Sequence, residues 1–509
     1  MAWQTVSAAP RIHGIPEGEL RPPPPPDGQR PDPANFTWSG IPLLHIDTDD
    51  GTDPTRTIVN PPEGCIGVGT SSQYLKARMT IVLRGDTLYD SGPFHKAASG
   101  LRIKIRGNSS GATQNPPPYS LKLERAEVLL KAAPQGASKH KLWALLPFAE
   151  ASPAFGYRPC LLHTTGFIVD RALKRLLGID EWTPRAEFVN VVLNGIWRGM
   201  YCLSETVERG EGRMEVADEG FIIEDDAYWW NADGEYFKSP YQHTQMGWTW
   251  KYPEADELTM ARKAAVQAQV EGFERALFDP APGESPAEWM DYASAARWLL
   301  GQDLLANEDA AGSNIFLYAD CATGKPDSEG GLLRFGPMWD FSGIFLWPDS
   351  LWSNIHTDAH SFHFPALTAR ADFREAYLAA WESVRGGFLS RVRVQMDSMA
   401  RSATLIDSAG AMQDKLHPGT YRKKLREQQA DMMALLRRRL HAVDSLCAAW
   451  DDPTVGIRPI PAAFGPGTMP RRVFDLSGRP LGDVPLRSLP PGTYLVRQGT
   501  ETRKVAVGR

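Results

Sequence analysis

The sequence has 509 residues, of which 42% are hydrophobic and 23% are charged, so it can bury a large catalytic unit and also carry appendages. Its formal net charge of −6 gives no overall basic footprint for nucleic acid or for an anionic membrane. No run of about 18 apolar residues predicts a membrane span. The 5 cysteines have no zinc-site spacing, and we expect free thiols.

The first segment of the chain, residues 1–38, is a proline-rich tail with consecutive prolines at 22–26. Such a segment favours polyproline II and packs no core of its own. It is either a spacer or a ligand for a proline-recognising domain. Because the first residues lack the basic and apolar regions of a signal peptide, the chain is either cytosolic or a mature form.

A strictly alternating strand, Leu101–Arg106, leads into the small-residue segment Gly107–Gly111, and another strand follows at Tyr119–Leu123. This order suits a loop that cradles a triphosphate, since glycine permits close backbone approach and short polar side chains donate hydrogen bonds. We expect no helix directly after the loop, which is therefore not a Walker A motif. The alternative is a hairpin with a polar turn and solvated basic residues. The candidate phosphate contacts are Arg106, Asn108, Ser109, Ser110 and Lys122.

The middle of the chain alternates between strands and helices. Asn194-Gly195 joins two β-type runs and predicts a tight hairpin that ends at Glu205. A strand at 221–226 is followed by a segment rich in tryptophan and tyrosine, which would either stack on a nucleotide or serve as core and lid packing. Helices are predicted from 256 to 277, from a capping box at 285 to 305, and over 370–400 and 417–450.

A pattern of acids and an amide lies between 307 and 343. Asn314 follows Asp309 by five residues, and Asp340 comes after a further apolar run, within Asp340-Phe341-Ser342-Gly343. Phosphoryl transfer needs one carboxylate that orients the attacking hydroxyl, and a carboxylate with an amide oxygen that hold the metal. The alternative is a capped turn followed by an unrelated acid at a strand end.

Taken together, these segments resemble the CotH family of atypical, spore-coat-type protein kinases. The resemblance rests on motifs in family order, which are 105–110 with 119–123, 141–146, 192–205, 220–224, Asn307-x-Asp309 and 336–341. It implies an α+β, kinase-like two-lobed fold with a β-rich N-lobe and a helical C-lobe, binding ATP and Mg²⁺ or Mn²⁺ and acting on a protein hydroxyl.

The resemblance also implies a role for each matching residue. Asp309 would be the catalytic base together with Lys122 as a catalytic cation, and Asn314 and Asp340 would be the metal ligands. Arg106, Asn108, Ser109, Ser110 and Lys122 would contact the phosphates. Glu205 matches a family acid that would either pair with Lys122 or lie near the adenine.

The last forty residues look like a Bacteroidetes-type secretion sorting domain, on Phe474-Asp475-Leu476-x-Gly478-Arg479 and Leu489-Pro490-x-Gly492-Thr493-Tyr494. This resemblance implies an extracytoplasmic protein, secreted or at the cell surface, whose signal peptide is absent from this sequence. We therefore expect a tail at 1–38, a kinase-like domain at 39–451, a Pro/Gly linker at 452–470 and a small β-domain at 471–509.

Three functions fit these observations. The first is an ATP- and metal-dependent kinase that phosphorylates serine or threonine of a protein. The second is a weak or inactive kinase fold that serves as a surface adhesion or interaction protein. The third is an ATP-using enzyme that forms another product, by nucleotidylation or amino-acid ligation. No nucleic-acid partner is expected in any of them.

Overall fold

The computed structural model describes residues 40–132, 136–149, 157–232, 234–241, 246–311, 313–323, 330–345 and 363–451, and the backbone of 471–474, 480–482, 492–498 and 501–507. The predicted proline-rich tail and the Pro/Gly linker lie outside these residues. None of the five cysteines, all of which are described, forms a disulfide.

The first half of the chain forms a closed β-barrel. Its strands are β1 (Leu43–Thr48), β2 (Thr57–Val59), β3 (Gly69–Ser71), β4 (Leu75–Leu83), β5 (Asp86–Asp90), β6 (Leu101–Ile105), β7 (Tyr119–Glu127), β8 (His140–Pro147), β9 (Ala186–Leu193) and β10 (Ile196–Glu205). Seven of these described strands form a ring in the order β1-β9-β10-β8-β7-β6-β4, which β1 closes by pairing with β4. Strand β5 adds to β4, and β2 pairs with β3 outside the ring.

Alternation along each strand fills the barrel. In β6 and β7 the residues at Leu101, Ile103, Leu121 and Leu123 are buried inside, whereas the residues between them face outward. The predicted hairpin at Asn194-Gly195 is confirmed, because both residues have the positive φ that a type I′ turn requires and β9 pairs antiparallel with β10.

A second sheet and a set of helices follow the barrel. The sheet contains β11 (Phe221–Asp226), β12 (Tyr236–Phe237), β13 (Gly247–Tyr252), β14 (Ile315–Ala319) and β15 (Arg334–Phe335), in the order β12-β13-β11-β14-β15. The described helices are α1 (Ser109–Thr113), α2 (Leu162–Leu177), α3 (Met260–Phe278), α4 (Tyr292–Leu305), α5 (Phe364–Ala369), α6 (Ala371–Val384), α7 (Phe388–Ala400), α8 (Ala403–Leu416) and α9 (Leu425–Asp451). The mixed α+β class is therefore confirmed.

Three expectations about helices were wrong. A short helix, α1, begins at Ser109 within the small-residue segment, where no helix was expected. The capping box at Ser285 opens only a 3-10 turn, and α4 begins later because the Asp291 side chain accepts hydrogen bonds from the amides of Ala293 and Ser294. The helix predicted over 370–400 is divided in two at Gly386-Gly387, where residues of low helix propensity stand together.

The C-terminal strands are β16 (Arg471–Phe474), β17 (Pro480–Gly482), β18 (Gly492–Gln498) and β19 (Glu501–Val507), which form a sheet in the order β17-β16-β18-β19. In the part of the chain that the structure describes, no helix is long and apolar enough to cross a membrane. One large core joins the outer face of β8 and β10 to α2, the second sheet and the later helices. The barrel and the helical part therefore pack directly against each other.

Candidate active site

The small-residue segment that follows β6 and includes the start of α1 is tightly wound. Gly107 has a φ of +79°, and a Cβ atom at this position would overlap the hydroxyl of Ser110. A Cβ atom at Gly111 would lie 2.6 Å from the carbonyl oxygen of Arg106. Both positions therefore require glycine, and the turn brings the backbone of residues 107–111 close to Arg106.

The loop is held from outside by two neighbours. The Thr70 hydroxyl donates to the Asn108 carbonyl at 2.7 Å, and the Asn231 amide donates to Asn108 Oδ1 at the same 2.7 Å. Asn231 also donates to the carbonyl of Thr70 at 3.2 Å. These bonds fix Asn108 between the β2–β3 hairpin and the turn that follows β11.

Arg106 connects this loop to the acids predicted for the metal. Its guanidinium carbon lies 5.7 Å from the centre of the Trp339 ring, in a cation–π arrangement. Burial lowers the pKa of Arg106, and the nearby carboxylate of Asp340 opposes that shift. The phosphate-loop candidate and Asp340 are therefore brought together, although they are more than 200 residues apart in the chain.

Asp340 stands in a strained backbone conformation, with a φ of +55°. Its Oδ1 accepts hydrogen bonds from the Ser342 amide at 3.2 Å and the Ser342 hydroxyl at 2.8 Å. Its carbonyl accepts a bond from the Asn307 side chain at 3.0 Å. The amide and hydroxyl of Ser342 thus orient the Asp340 carboxylate.

Asp309 approaches the same loop closely. A Cβ atom at Gly343 would lie 2.6 Å from the Asp309 Cβ and 2.9 Å from Asn307 Oδ1. The absence of a side chain at Gly343 therefore allows the segments of Asp309 and Asp340 to touch. Neighbouring Phe341 packs edge-on against Phe167 at 5.2 Å, which anchors the loop in the core.

Tyr228, from the aromatic segment after β11, lies among the acids. Burial raises its pKa to about 12, the Ser109 hydroxyl opposes this as a hydrogen-bond partner, and Asp309, Asp226 and Asp340 raise the pKa further. The pKa of this one phenol therefore depends on the predicted base Asp309, the predicted metal ligand Asp340 and Ser109 of the predicted phosphate loop. This dependence indicates that the three predicted segments lie around Tyr228.

The aromatic segment serves mainly as packing. Trp248 is fully buried and Trp250 is 9% exposed, both in the core. The indole of Trp230 donates to the carbonyl of Ile66 at 3.3 Å, so the segment rests on the β2–β3 hairpin. Of the two roles expected for this segment, packing accounts for these contacts and stacking on a nucleotide does not.

Asn314 lies at the start of β14. It has a φ of +64°, a conformation that asparagine tolerates better than most residues. The last pair between β11 and β14 joins Asp225 to Ile315, so Asn314 stands one residue beyond it, next to Asp226. Its backbone position is therefore at the end of the second sheet where Asp226 lies.

Lys122 faces outward from the barrel towards a group of ionisable residues. Glu208 is its acidic neighbour: burial raises the pKa of Glu208 to about 7, and Lys251, Arg213 and Lys122 lower it. Lys251 in turn forms an ion pair of 2.5 Å with Glu224, and its pKa is raised because Glu224 and Asp226 outweigh its burial.

Glu205, which the resemblance placed near Lys122 or the adenine, is fully buried on the inner side of β10. Its carboxylate accepts bonds from the Ser138 amide and hydroxyl at 2.6 and 2.9 Å, the Trp182 indole at 3.0 Å and the Arg185 amide at 2.9 Å. These bonds occupy the carboxylate at one end of the barrel. We therefore do not include Glu205 in the proposed site, and Glu208 is the acid near Lys122.

The oxygen donors suit a hard cation. Asn307 is fully buried, and its Oδ1 is a hydrogen-bond acceptor without a partner in the described structure, beside Asp309 and Gly343. No group of three or more His, Cys, Asp or Glu with metal-site geometry occurs among the described residues. Mg²⁺ typically takes one or two carboxylates and completes its shell with phosphate oxygens and water. The carboxylates of Asp309 and Asp340 and the side-chain amide oxygens of Asn307 and Asn314 fit that type of site.

The site thus combines a phosphate-loop candidate on a β unit with two acids on the segments that follow α4 and β15. The comparison with protein families finds a similarity: the family described as CotH kinase protein matches residues 173–417, slightly less than half of the chain. The resemblance seen in the motifs is confirmed over that segment, which contains Asp309, Asn314 and Asp340 and begins after Arg106 and Lys122. No curated protein matches the chain.

Proposed function

We propose that this protein is an ATP- and divalent-metal-dependent kinase of CotH type, which transfers the γ-phosphoryl group to a serine or threonine hydroxyl of another protein. The proposal rests on one observation: the Arg106 guanidinium lies over the ring of Trp339, near the carboxylate of the adjacent residue Asp340. A guanidinium from a glycine-bearing loop beside a carboxylate from a distant loop is what binding of a metal–triphosphate complex requires.

In this proposal the residues divide the work by their chemistry. Arg106 and Lys122 neutralise phosphate charge, and the backbone and side chains of Asn108, Ser109 and Ser110 donate hydrogen bonds. Asp309 accepts the proton of the acceptor hydroxyl as that oxygen forms its bond to phosphorus. The bond from phosphorus to the ADP oxygen breaks, and the charge on ADP stays beside the cations.

Asp340 and Asn314 would hold Mg²⁺ or Mn²⁺, with Asn307 Oδ1 as an additional oxygen nearby. The metal would neutralise charge on the phosphates and lower the barrier to phosphoryl transfer. The Ser342 bonds to Asp340 Oδ1 keep that carboxylate in one orientation. Such orientation matters because catalysis of phosphoryl transfer consists mostly of positioning and electrostatics.

The proposal includes the two-lobed arrangement and the location of the protein. The barrel with β2, β3 and α1 would be the N-lobe, and the second sheet with α3–α9 would be the C-lobe, with ATP between them. The sorting-like C-terminal segment favours secretion or display at the cell surface. The small β-domain expected at 471–509 contains the strands β16, β17, β18 and β19.

The test is incubation with γ-labelled ATP and Mg²⁺ or Mn²⁺, comparing the wild type with Asp309→Ala and Asp340→Asn. Each variant should lose at least about a hundredfold in transfer, because each removes a charge that acts at the transferred group. Asp397→Asn removes an exposed acid of α7 and is the matched control. Equal labelling by all four proteins would refute the site.

Two further measurements separate the alternative functions. Calorimetry with ATP and metal should show binding, whereas a pure adhesion module should take up none. Mass spectrometry of the modified acceptor should show the mass of one phosphate. The mass of a nucleotide or of an amino acid would instead identify nucleotidylation or ligation.

A further inference from the structure

One face of helix α4 lies against the segment that leads to Asp340. Ser294, Arg297 and Gly301 are spaced by three and four residues, so they share that face of the helix. The Ser294 hydroxyl accepts a hydrogen bond from the Phe335 amide at 3.1 Å, and Arg297 donates to the Phe335 carbonyl at 3.0 Å. Helix α4 therefore binds both backbone polar groups of the residue at which this segment begins.

The contacts continue along the segment. The Arg297 nitrogen of that bond also lies 3.4 Å from the Gly336 carbonyl. A Cβ atom at Gly301 would overlap the sulphur of Met338, so Met338 packs directly on the helix. Asp340 follows two residues later with its positive φ. Because a strained backbone persists only where the surrounding structure determines it, these contacts supply part of the constraint on Asp340.

Arg297 lies in the core together with neighbouring charges. It is almost fully buried and forms ion pairs with Asp170 of α2 at 3.1 Å and with Glu181 at 3.3 Å. Lys174 pairs with the same Asp170 at 2.9 Å, so two cations face two acids. A buried ion pair is by itself weak evidence for stability, because desolvation can cancel the attraction. The bonds of Arg297 to the carbonyls of residues 335–336 are therefore the contribution that an apolar side chain could not replace.

We infer that Arg297 is a positioning residue for Asp340, which fixes where the Asp340 carboxylate stands by binding the carbonyls of Phe335 and Gly336. The metal that Asp340 would hold rests on the proposed function, whereas the anchoring of the segment does not. Arg297→Lys separates charge from geometry. It keeps a positive charge near Asp170, but a single ammonium lacks the planar fork that binds a carboxylate and two carbonyls in fixed directions.

Hydrogen exchange of the full-length protein tests the anchoring without any nucleotide. Amides of residues 335–345 take part in hydrogen bonds, among them that of the Gly336 amide to the Phe316 carbonyl at 2.8 Å. In Arg297→Lys, mass spectrometry should show their exchange accelerated about tenfold, because the segment opens more often when a charged hydrogen-bond donor is lost. The exchange of the barrel strands should stay as it is in the wild type.

Arg171→Lys is the matched control. Arg171 of α2 also donates to a backbone carbonyl and to a side chain, those of Pro184 and Gln395, at 3.0 and 3.1 Å. Neither partner belongs to the segment that leads to Asp340. Arg171→Lys therefore removes comparable bonds elsewhere, and it should leave the exchange of residues 335–345 unchanged.

Calorimetry tests what the anchoring does for the metal. The Kd for ATP is measured with Mg²⁺ and with EDTA, and the ratio of the two values gives the contribution of the metal. Arg297→Lys should reduce this ratio about tenfold, because a displaced Asp340 holds the metal less well, and should leave the Kd in EDTA unchanged. A merely structural loss would weaken binding in both buffers. Asp340→Asn should reduce the ratio as well, and the double variant should reduce it no further, since the effects of residues that act together do not add.

Thermal unfolding checks that each variant is folded, and Ser294→Ala, which removes the other bond to Phe335, replaces Arg297→Lys if that variant is not. Unchanged exchange over residues 335–345, or an additive loss in the double variant, would overturn the inference. An unchanged ratio in Arg297→Lys beside a lowered one in Asp340→Asn would also overturn it, and would leave the proposed function standing. If the wild type itself shows no metal-dependent binding, the proposed function fails and the positioning of a metal ligand fails with it, although faster exchange would still show that Arg297 anchors the segment.

Discussion

Replacing Gly343 by alanine is the sharpest test of how the two acids are held together. The new Cβ would lie 2.6 Å from the Asp309 Cβ, whereas ordinary contact begins at 3.4 Å, so the two segments must separate by about 0.8 Å. A displacement of about 1 Å at a catalytic group costs about a hundredfold in rate. Overpacking of this kind also lowers the free energy of unfolding by about 1–3 kcal/mol.

The assay combines transfer from labelled ATP with thermal unfolding of the same preparation. Gly386→Ala is the matched control, because its new Cβ would have no atom within 4 Å. Gly343→Ala should lose transfer while it still binds ATP in calorimetry, since Arg106 and its loop lie on other segments. Wild-type transfer by Gly343→Ala would show that the approach of Asp309 to this loop does not matter for activity.

Three further substitutions have defined outcomes. Gly166→Ala would push a methyl group into the Phe341 ring and should lower the free energy of unfolding by about 1–3 kcal/mol in urea titrations. Glu205→Gln should cost about 1–3 kcal/mol of stability, because the amide cannot accept all the bonds of the carboxylate, while the Kd for ATP stays unchanged. The pKa of Glu208 is raised from 4.5 to about 7, chiefly by burial, so the contribution of this carboxyl to stability is lost as the pH rises from 4.5 through about 7. Glu208→Gln should flatten that dependence between about pH 5 and 8 in urea titrations.

Each of these outcomes has a clear opposite. An unchanged urea midpoint for Gly166→Ala would contradict the packing of Phe341 against α2. A large loss of ATP affinity in Glu205→Gln, without loss of stability, would return this residue to the nucleotide site. A steeper fall in stability with pH for Glu208→Gln would contradict the raised pKa of its carboxyl.

Local pattern was enough to predict the hairpin at Asn194-Gly195 and the alternating strands, because neighbouring residues decide those structures. It was not enough to predict the barrel, because β1 pairs with β4 across a separation in the chain over which local sequence pattern does not indicate which strands pair. The start of α4 was also missed. Ser285 and Asp291 are both good caps, and only tertiary packing selects between them.

The acidic residues of the site also divide into those that local sequence pattern predicted and those that it did not. Asp309 and Asp340 could be selected by motif, whereas the roles of Glu205 and Glu208 could not be separated by spacing alone. A signal was nevertheless present: Glu205 has the same parity in β10 as the inward residues Tyr201 and Leu203, and parity places it inside the barrel. The close approach at Gly343 is a property of two distant segments and has no counterpart in the local sequence.

The closing strand of the barrel has a consequence for how the chain is made. Strand β1 pairs with β4 and also, in parallel, with β9, whose paired residues lie 147 positions later. During synthesis the ring therefore stays open until β9 and β10 have left the ribosome, and the free edges of β1 and its neighbours are exposed in the meantime. Such edges pair readily with other chains, so nascent chains that end before Glu205 should depend on chaperones, and longer ones should not.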